Sequence, residues 1–143
     1  MKGRALKALA RREHSRAELL QKLLPHAGDP AEVERLLDDL EKRGWLSEAR
    51  FVEQLTMVRR RKFGAGRILH ELREKGVSDA ALEAARAQLK GSEIEAARAV
   101  WEKKFDSLPQ TLEERGRQSR FLASRGFSPE AVRKVLKGGD DDQ

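Results

Sequence analysis

Four consecutive cations, Arg59-Arg60-Arg61-Lys62, are the densest concentration of a single chemistry in this chain, and Arg67, Arg73 and Lys75 follow closely. Guanidinium and ammonium groups at this density bind polyanions. Each phosphate they neutralise releases condensed counterions, so such binding is salt-sensitive and tolerant of sequence. A helix C-terminus accounts for one or two cations through its dipole, but four successive positions point around most of a helix. A polyanion contact is therefore favoured over a merely solvated helix end.

Other reactive residue types occur without the arrangement their chemistry needs. Gly64-Ala65-Gly66 before Arg67 invites comparison with a phosphate loop, yet the Lys-Ser/Thr ending and the preceding strand are missing. A tight helix start, where a bulky side chain would clash, is the preferred reading; a DNA phosphate resting at that N-terminus is the secondary one. The aromatics are Trp45, Trp101, Phe51, Phe63, Phe105, Phe121 and Phe127. Most occupy apolar-periodic positions and are expected in the core, with Phe63, inside the basic run, as the one candidate for exposure. Nucleic-acid contact should then be led by phosphate rather than by base stacking.

His14, His26 and His70 are scattered, and no carboxylate pairs with them at metal-ligand spacing. His14 reads as a local cap or a carboxylate's partner. The chain has no Cys, which removes disulfides, thiol nucleophiles and thiolate-bound zinc. Glu32, Glu34, Asp38, Asp39 and Glu41 read as a solvated helix face, and no nucleophile–base constellation stands out. No catalysis, metal or cofactor is expected.

The elements that must position the cations carry a repeat of their own. Net charge is +5 over residues 1–27, −4 over 28–57, +5 over 58–77, −3 over 78–114 and +3 over 115–143, for a total of +6. Like charges at equivalent places on repeated units can merge into one extended surface. The charged fraction, 38%, equals the apolar fraction, a balance that suits an elongated helical array better than a single globule. No apolar run approaches the ~20 residues of a membrane span. Met1-Lys2-Gly3-Arg4 is too charged to open a signal peptide, so a cytoplasmic location is expected.

Strand signals are absent, whereas apolar residues recur at helical spacing, as in Leu19, Leu20, Leu23, Leu24 and in Val33, Leu36, Leu37, Leu40. Ser15-Arg16-Ala17-Glu18 and Ser92-Glu93-Ile94-Glu95 have capping-box spacing. Asp29-Pro30 and Ser128-Pro129 mark two more starts, and Gly28, Gly44, Gly76, Gly91 and Gly126 mark stops. Shifted by 50, Leu72, Gly76-Val77-Ser78-Asp79 and Ala81-Leu82 superpose on Leu122, Gly126-Phe127-Ser128-Pro129 and Ala131-Val132. Shifted by 49, Leu19, Leu20, Leu23 and Val33 fall on Ile68, Leu69, Leu72 and Leu82. The spacing predicts an all-α, elongated array, right- or left-handed, of three tandem three-helix repeats: 1–46, 47–91 and 92–138, then an acidic tail at 139–143.

Arg12-Glu13-His14-Ser15-Arg16-Ala17-Glu18-Leu19, Gly44-Trp45-Leu46-Ser47-Glu48-Ala49-Arg50-Phe51, Gly64-Ala65-Gly66-Arg67-Ile68 and Arg125-Gly126-Phe127 stand in an order and spacing that resembles the RecX family. The resemblance implies a tandem three-helix protein lying along the groove of the RecA filament on single-stranded DNA. It further implies an effect on RecA's ATP hydrolysis, strand exchange and co-protease role. The residues assigned to RecA or DNA contact are Arg59, Arg60, Arg61, Lys62, Arg67, Arg73 and Lys75, with Arg117, Arg120 and Arg125 in the third repeat and Arg12 and Arg16 in the first. A monomer is expected, touching single-stranded or duplex DNA weakly and without sequence preference. The rival class is a sequence-specific helix-turn-helix regulator, which would concentrate its charge on one recognition helix. A nuclease is a distant third.

Overall fold

Leucine and alanine at helical spacing, with serine, threonine or aspartate before several of the starts, fold the chain into nine α-helices and no strand among residues 1–138, which this computed structural model describes. They are α1 (Lys2–Arg11), α2 (Arg16–Leu23), α3 (Pro30–Lys42), α4 (Glu48–Arg59), α5 (Ala65–Glu74), α6 (Asp79–Gly91), α7 (Glu93–Lys104), α8 (Leu112–Ser124) and α9 (Pro129–Lys137). A 3-10 turn at Leu24–His26 follows α2. The expected acidic tail, 139–143, lies outside the described residues. No described helix is long and apolar enough to cross a membrane.

Local signals set most boundaries. Ser15 Oγ accepts the Glu18 backbone N–H while the Glu18 carboxylate accepts that of Ser15, closing the expected capping box. Asp29 and Ser128 cap α3 and α9, each directly ahead of proline. Ser92 departs from its expectation. Only this residue separates α6 from α7, its backbone is not extended (φ −117°, ψ 11°), and its hydroxyl accepts from Arg60 at 3.2 Å instead of capping α7. Of the five expected stop glycines, Gly44, Gly76 and Gly126 take positive φ, while Gly91 remains helical and Gly28 keeps an ordinary φ.

The turn at 72–82 recurs at 122–132 bond for bond. Val77 N–H donates to Leu72 O at 3.1 Å and Phe127 N–H to Leu122 O at 3.3 Å. Ser78 and Ser128 accept from the N–H groups of Ala81 and Ala131. Leu72, Val77 and Leu82 are buried like Leu122, Phe127 and Val132. A carboxylate completes each turn: Glu48 accepts the Ser78 N–H at 2.9 Å, and Glu93 accepts the Ser128 N–H at 3.2 Å.

The described residues pack as two units. The first comprises Met1–Leu55 and Leu72–Leu82, and its core holds Ala5, Leu19, Leu23, Val33, Leu37 and Leu40, all fully buried. The second comprises Thr56–Glu71 and the chain from Glu83 onward. There α7 and α8 pack on α9 around Ala97, Leu122, Phe127, Ala131, Val132 and Val135.

Within the second unit, Gly64-Ala65-Gly66 runs against the backbone of Arg125 and Gly126. Gly64 N–H donates to Arg125 O at 2.7 Å and Gly66 N–H to Gly126 O at 3.2 Å. A Cβ on Gly64 would stand 2.5 Å from the Gly126 carbonyl, so glycine is required for the approach. The Ala65 N–H goes to Glu93 at 3.1 Å. The N–H groups that a phosphate would use are therefore spent inside the fold, and the tight helix start is the correct account of this motif.

Candidate polyanion interface

In the first unit Arg12, Arg16 and Lys75 are neutralised where they stand. Arg12 makes two bonds to Glu18, at 3.2 and 2.9 Å, and Lys75 reaches the same carboxylate at 3.3 Å. Burial works against the Glu18 charge, but the bonds from Arg12, the Ser15 N–H and Lys75 outweigh it and hold the carboxyl at about 2. Arg16 meets Glu34, Asp38 and Glu41 together. Desolvation opposes its charge, and the hydrogen bonds to Glu34, Glu41 and Asp38 more than restore it, raising its pKa above the ordinary arginine value. The acidic face of α3, expected to be merely solvated, is thus the counter-ion of Arg16.

His14 is buried, with Nδ1 3.0 Å from Arg12 O and Nε2 3.2 Å from Lys22 Nζ. Burial lowers its pKa below 6.5, and the Arg12 and Lys22 charges add to that against the Arg12 carbonyl. Its partners are the carbonyl of Arg12, the C-cap residue of α1, and an ammonium, which fits the local-cap alternative and not the carboxylate one.

The basic run in the second unit divides by direction. Arg59 pairs with Glu71 at 2.8 and 3.1 Å, which raises its pKa. Arg60 turns inward, its side chain only 15% exposed, onto buried Glu93 at 2.7 Å, Leu89 O at 2.6 Å and Ser92. These two hold the unit together. Among the described residues Arg61 and Lys62 are exposed without an acidic partner, as are Arg67, Arg117 and Arg120, and Arg73 in the first unit.

Rings order Arg67 and two further cations of this unit, Arg125 and Lys104. The Arg67 guanidinium lies 4.6 Å from the centre of Phe63, and that of Arg125 lies 5.7 Å from Phe63 and 5.0 Å from Phe121. Lys104 Nζ is 5.6 Å from Phe121. Arg67, Phe63, Arg125, Phe121 and Lys104 thus form one alternating row of cation and ring. Phe105 meets Phe121 edge-on at 5.5 Å, fixing the ring from behind. Such contacts contribute about 0.5–1 kcal/mol each where exposed, and they order a cation without cancelling its charge.

Beside the row, Arg61, Lys62, Lys103, Lys104 and Arg125 surround a depression of about 280 Å³ over Val100 and Phe121. Among the described residues no carboxylate lines it. Lys103 and Lys104 were not among the sequence candidates, because averaging over 78–114 buried them in an acidic block. The cue was present in their placement in the last turn of α7, after which Phe105 is extended and turns the chain away. The aromatic assignment also needs correcting. Phe63 is half-buried under its two arginines, whereas Trp45 is 42% exposed beneath Lys2 and Arg43.

Repeated helical turns, and a cationic surface left without acidic partners among the described residues, mark a helical-repeat protein. Three family models match in order along the chain: "RecX, first three-helix domain" at residues 2–40, the second at 47–85 and the third at 92–136. The chain belongs to the RecX family. The Regulatory protein RecX of Leptothrix cholodnii is 51% identical over 142 residues, covering 99% of this chain and 90% of that one. That of Ralstonia nicotianae is 46% identical over 140 residues, covering 98% and 88%. The crystal structure of RecX from Lactobacillus salivarius superposes with a TM-score of 0.79 over 95% of this chain and 92% of that one. At 18% identity, that match speaks for the shared fold.

Proposed function

We propose that this chain is a non-enzymatic regulator that binds the RecA filament on single-stranded DNA and changes its ATP hydrolysis, strand exchange and co-protease activity. Membership of the RecX family, whose relatives are named regulatory proteins, supports the reading. The observation that carries it is the cationic depression of the second unit, where Arg61, Lys62 and Arg125 are joined by Lys103 and Lys104 with no carboxylate among the described lining residues, and Arg67 continues the row across Phe63. Arg73, Arg117 and Arg120, exposed and without an acidic partner, extend the contact set. Arg59, Arg60, Arg12, Arg16 and Lys75 serve it indirectly, by holding helices in place. The three repeats, 1–46, 47–91 and 92–138, supply successive contacts to successive filament subunits, and several weak contacts add through avidity.

The protein acts in the cytoplasm as a monomer, and its contact with DNA alone is weak, sequence-tolerant and steeply salt-dependent. A sequence-specific helix-turn-helix regulator is disfavoured because the free cations come from the α4–α5 connection, α5, α7 and the end of α8 rather than from one helix. A discrete footprint on random duplex DNA would reverse that preference. The direct test is ATP hydrolysis by the cognate RecA on single-stranded DNA with this chain titrated in. A saturable change is expected, and none at saturation would remove the reading.

A further inference from the structure

We propose that the depression over Val100 and Phe121 seats one nucleotide of a single strand, its base flat on the floor and its flanking phosphates on the cations at the rim. This rests on the reading above only in taking nucleic acid as the partner class, and it adds that bases, and not phosphates alone, are contacted. The argument begins with the mismatch between rim and floor. The charged lining residues are all cations, Arg61, Lys62, Lys103, Lys104 and Arg125, with no carboxylate among the described residues that line it. The floor is apolar.

A bare phosphate would have to sit over hydrocarbon and lose hydration without gaining donors there, which is costly. The group that fits has a flat apolar face and an anionic edge on either side, which describes a nucleotide within a strand. At about 280 Å³ the space falls just below the roughly 300–1,000 Å³ of pockets for drug-sized ligands, so it suits one such unit. Arg125 completes the platform. Its guanidinium lies 5.0 Å from the Phe121 centre, and bases stack on guanidinium planes as they do on rings. Phe105, edge-on to Phe121 at 5.5 Å, keeps the ring from turning.

Paired bases are stacked inside a duplex and cannot reach this floor, so the site favours single strands. An acidic peptide matches the rim in charge but brings no flat group for the floor.

The test uses the intact chain without RecA and compares a dye-labelled oligothymidylate with an abasic strand of equal length and phosphate number. The abasic strand should bind about fivefold weaker or worse, as expected for one lost base stack. Phe121→Leu, checked for helicity by circular dichroism, should bring the two affinities together. Lys103→Gln with Lys104→Gln should weaken both strands in proportion. Equal affinity of the wild type for the two strands, or displacement of oligothymidylate by polyglutamate at equal charge, overturns the proposal. Absence of binding to either strand overturns it too, and the RecA ATPase titration then decides separately whether the filament reading stands. If Phe121→Leu does not fold, the wild-type comparison of the two strands still decides.

Discussion

The two units hold most of their candidate cations by different means. In the first, carboxylates do it: Glu18 takes Arg12 and Lys75, and Glu34, Asp38 and Glu41 converge on Arg16. In the second, Phe63 and Phe121 order Arg67, Arg125 and Lys104, while carboxylates take Arg59 and inward-turned Arg60, as well as Arg86 and Lys134. Both methods fix a long side chain and reduce the entropy it loses on binding. Only the ring leaves the charge available to a partner. A count of basic residues therefore overstates the first unit as a binding surface and understates the second.

The largest expected effect tests whether the inward pair in the second unit is structural. Glu93→Gln leaves Arg60 buried without a counter-charge and, with one oxygen replaced by NH2, leaves one of the Ala65 and Ser128 N–H groups without its acceptor. It should destabilise the protein by about 3–5 kcal/mol, seen as a lower denaturant midpoint. Glu34→Gln in the first unit, at a half-exposed pair that shares Arg16 with two other carboxylates, should cost under about 1 kcal/mol. Equal losses would break the contrast.

Next comes the free surface. Changing Arg61, Lys62, Lys103 and Lys104 together to Gln should weaken binding to single-stranded DNA by about a hundredfold at low salt and flatten the dependence of log K on log salt. Arg12→Gln with Arg16→Gln should leave the salt slope unchanged, because those charges are already spent. A flattened slope in the first-unit variant would place the interface in the wrong unit.

A smaller, graded effect separates the units by pH. His14 is held neutral in the fold, with its pKa below 6.5 because of burial. Its contribution is therefore complete above about pH 6.5 and declines as pH falls below that value, when the unfolded chain binds the proton first. Glu18, held at about 2, adds a further loss as pH falls below about 4.5. Thermal melts from pH 7.5 to 5 should show the first decline in the wild type, and His14→Asn, itself less stable, should lack most of it. The smallest effect is at Trp45, where Lys2 and Arg43 lie over an exposed ring. Trp45→Ala should cost about 0.5–1 kcal/mol by chemical denaturation and leave DNA affinity unchanged.

Much of the fold was legible in the residues because its signals are local. Serine three residues ahead of Glu18 predicts a capping box, and glycine after Leu72 and Leu122 predicts the paired turns, since each depends on atoms within a few residues. Ser92 shows where this fails: the same spacing is present, but a side chain from another helix occupies the hydroxyl. The candidate interface was harder to read. Lys103 and Lys104 vanished into a regional average, and Arg60 was indistinguishable from Arg61 until its direction was known.

The amino-acid sequence by itself determined that the chain is helical, where most helices begin and end, that its turns repeat, and that its surface is rich in cations, because these follow from hydrogen bonds and periodicities spanning a turn or two. Only the tertiary structure decided which cations keep their charge. Arg60 lies 33 residues from the carboxylate that neutralises it, and Arg125 far along the chain from the Phe63 ring beneath it. Electrostatic availability belongs to neighbours in space, and the packing of the helices, not the order of the residues, chooses those neighbours.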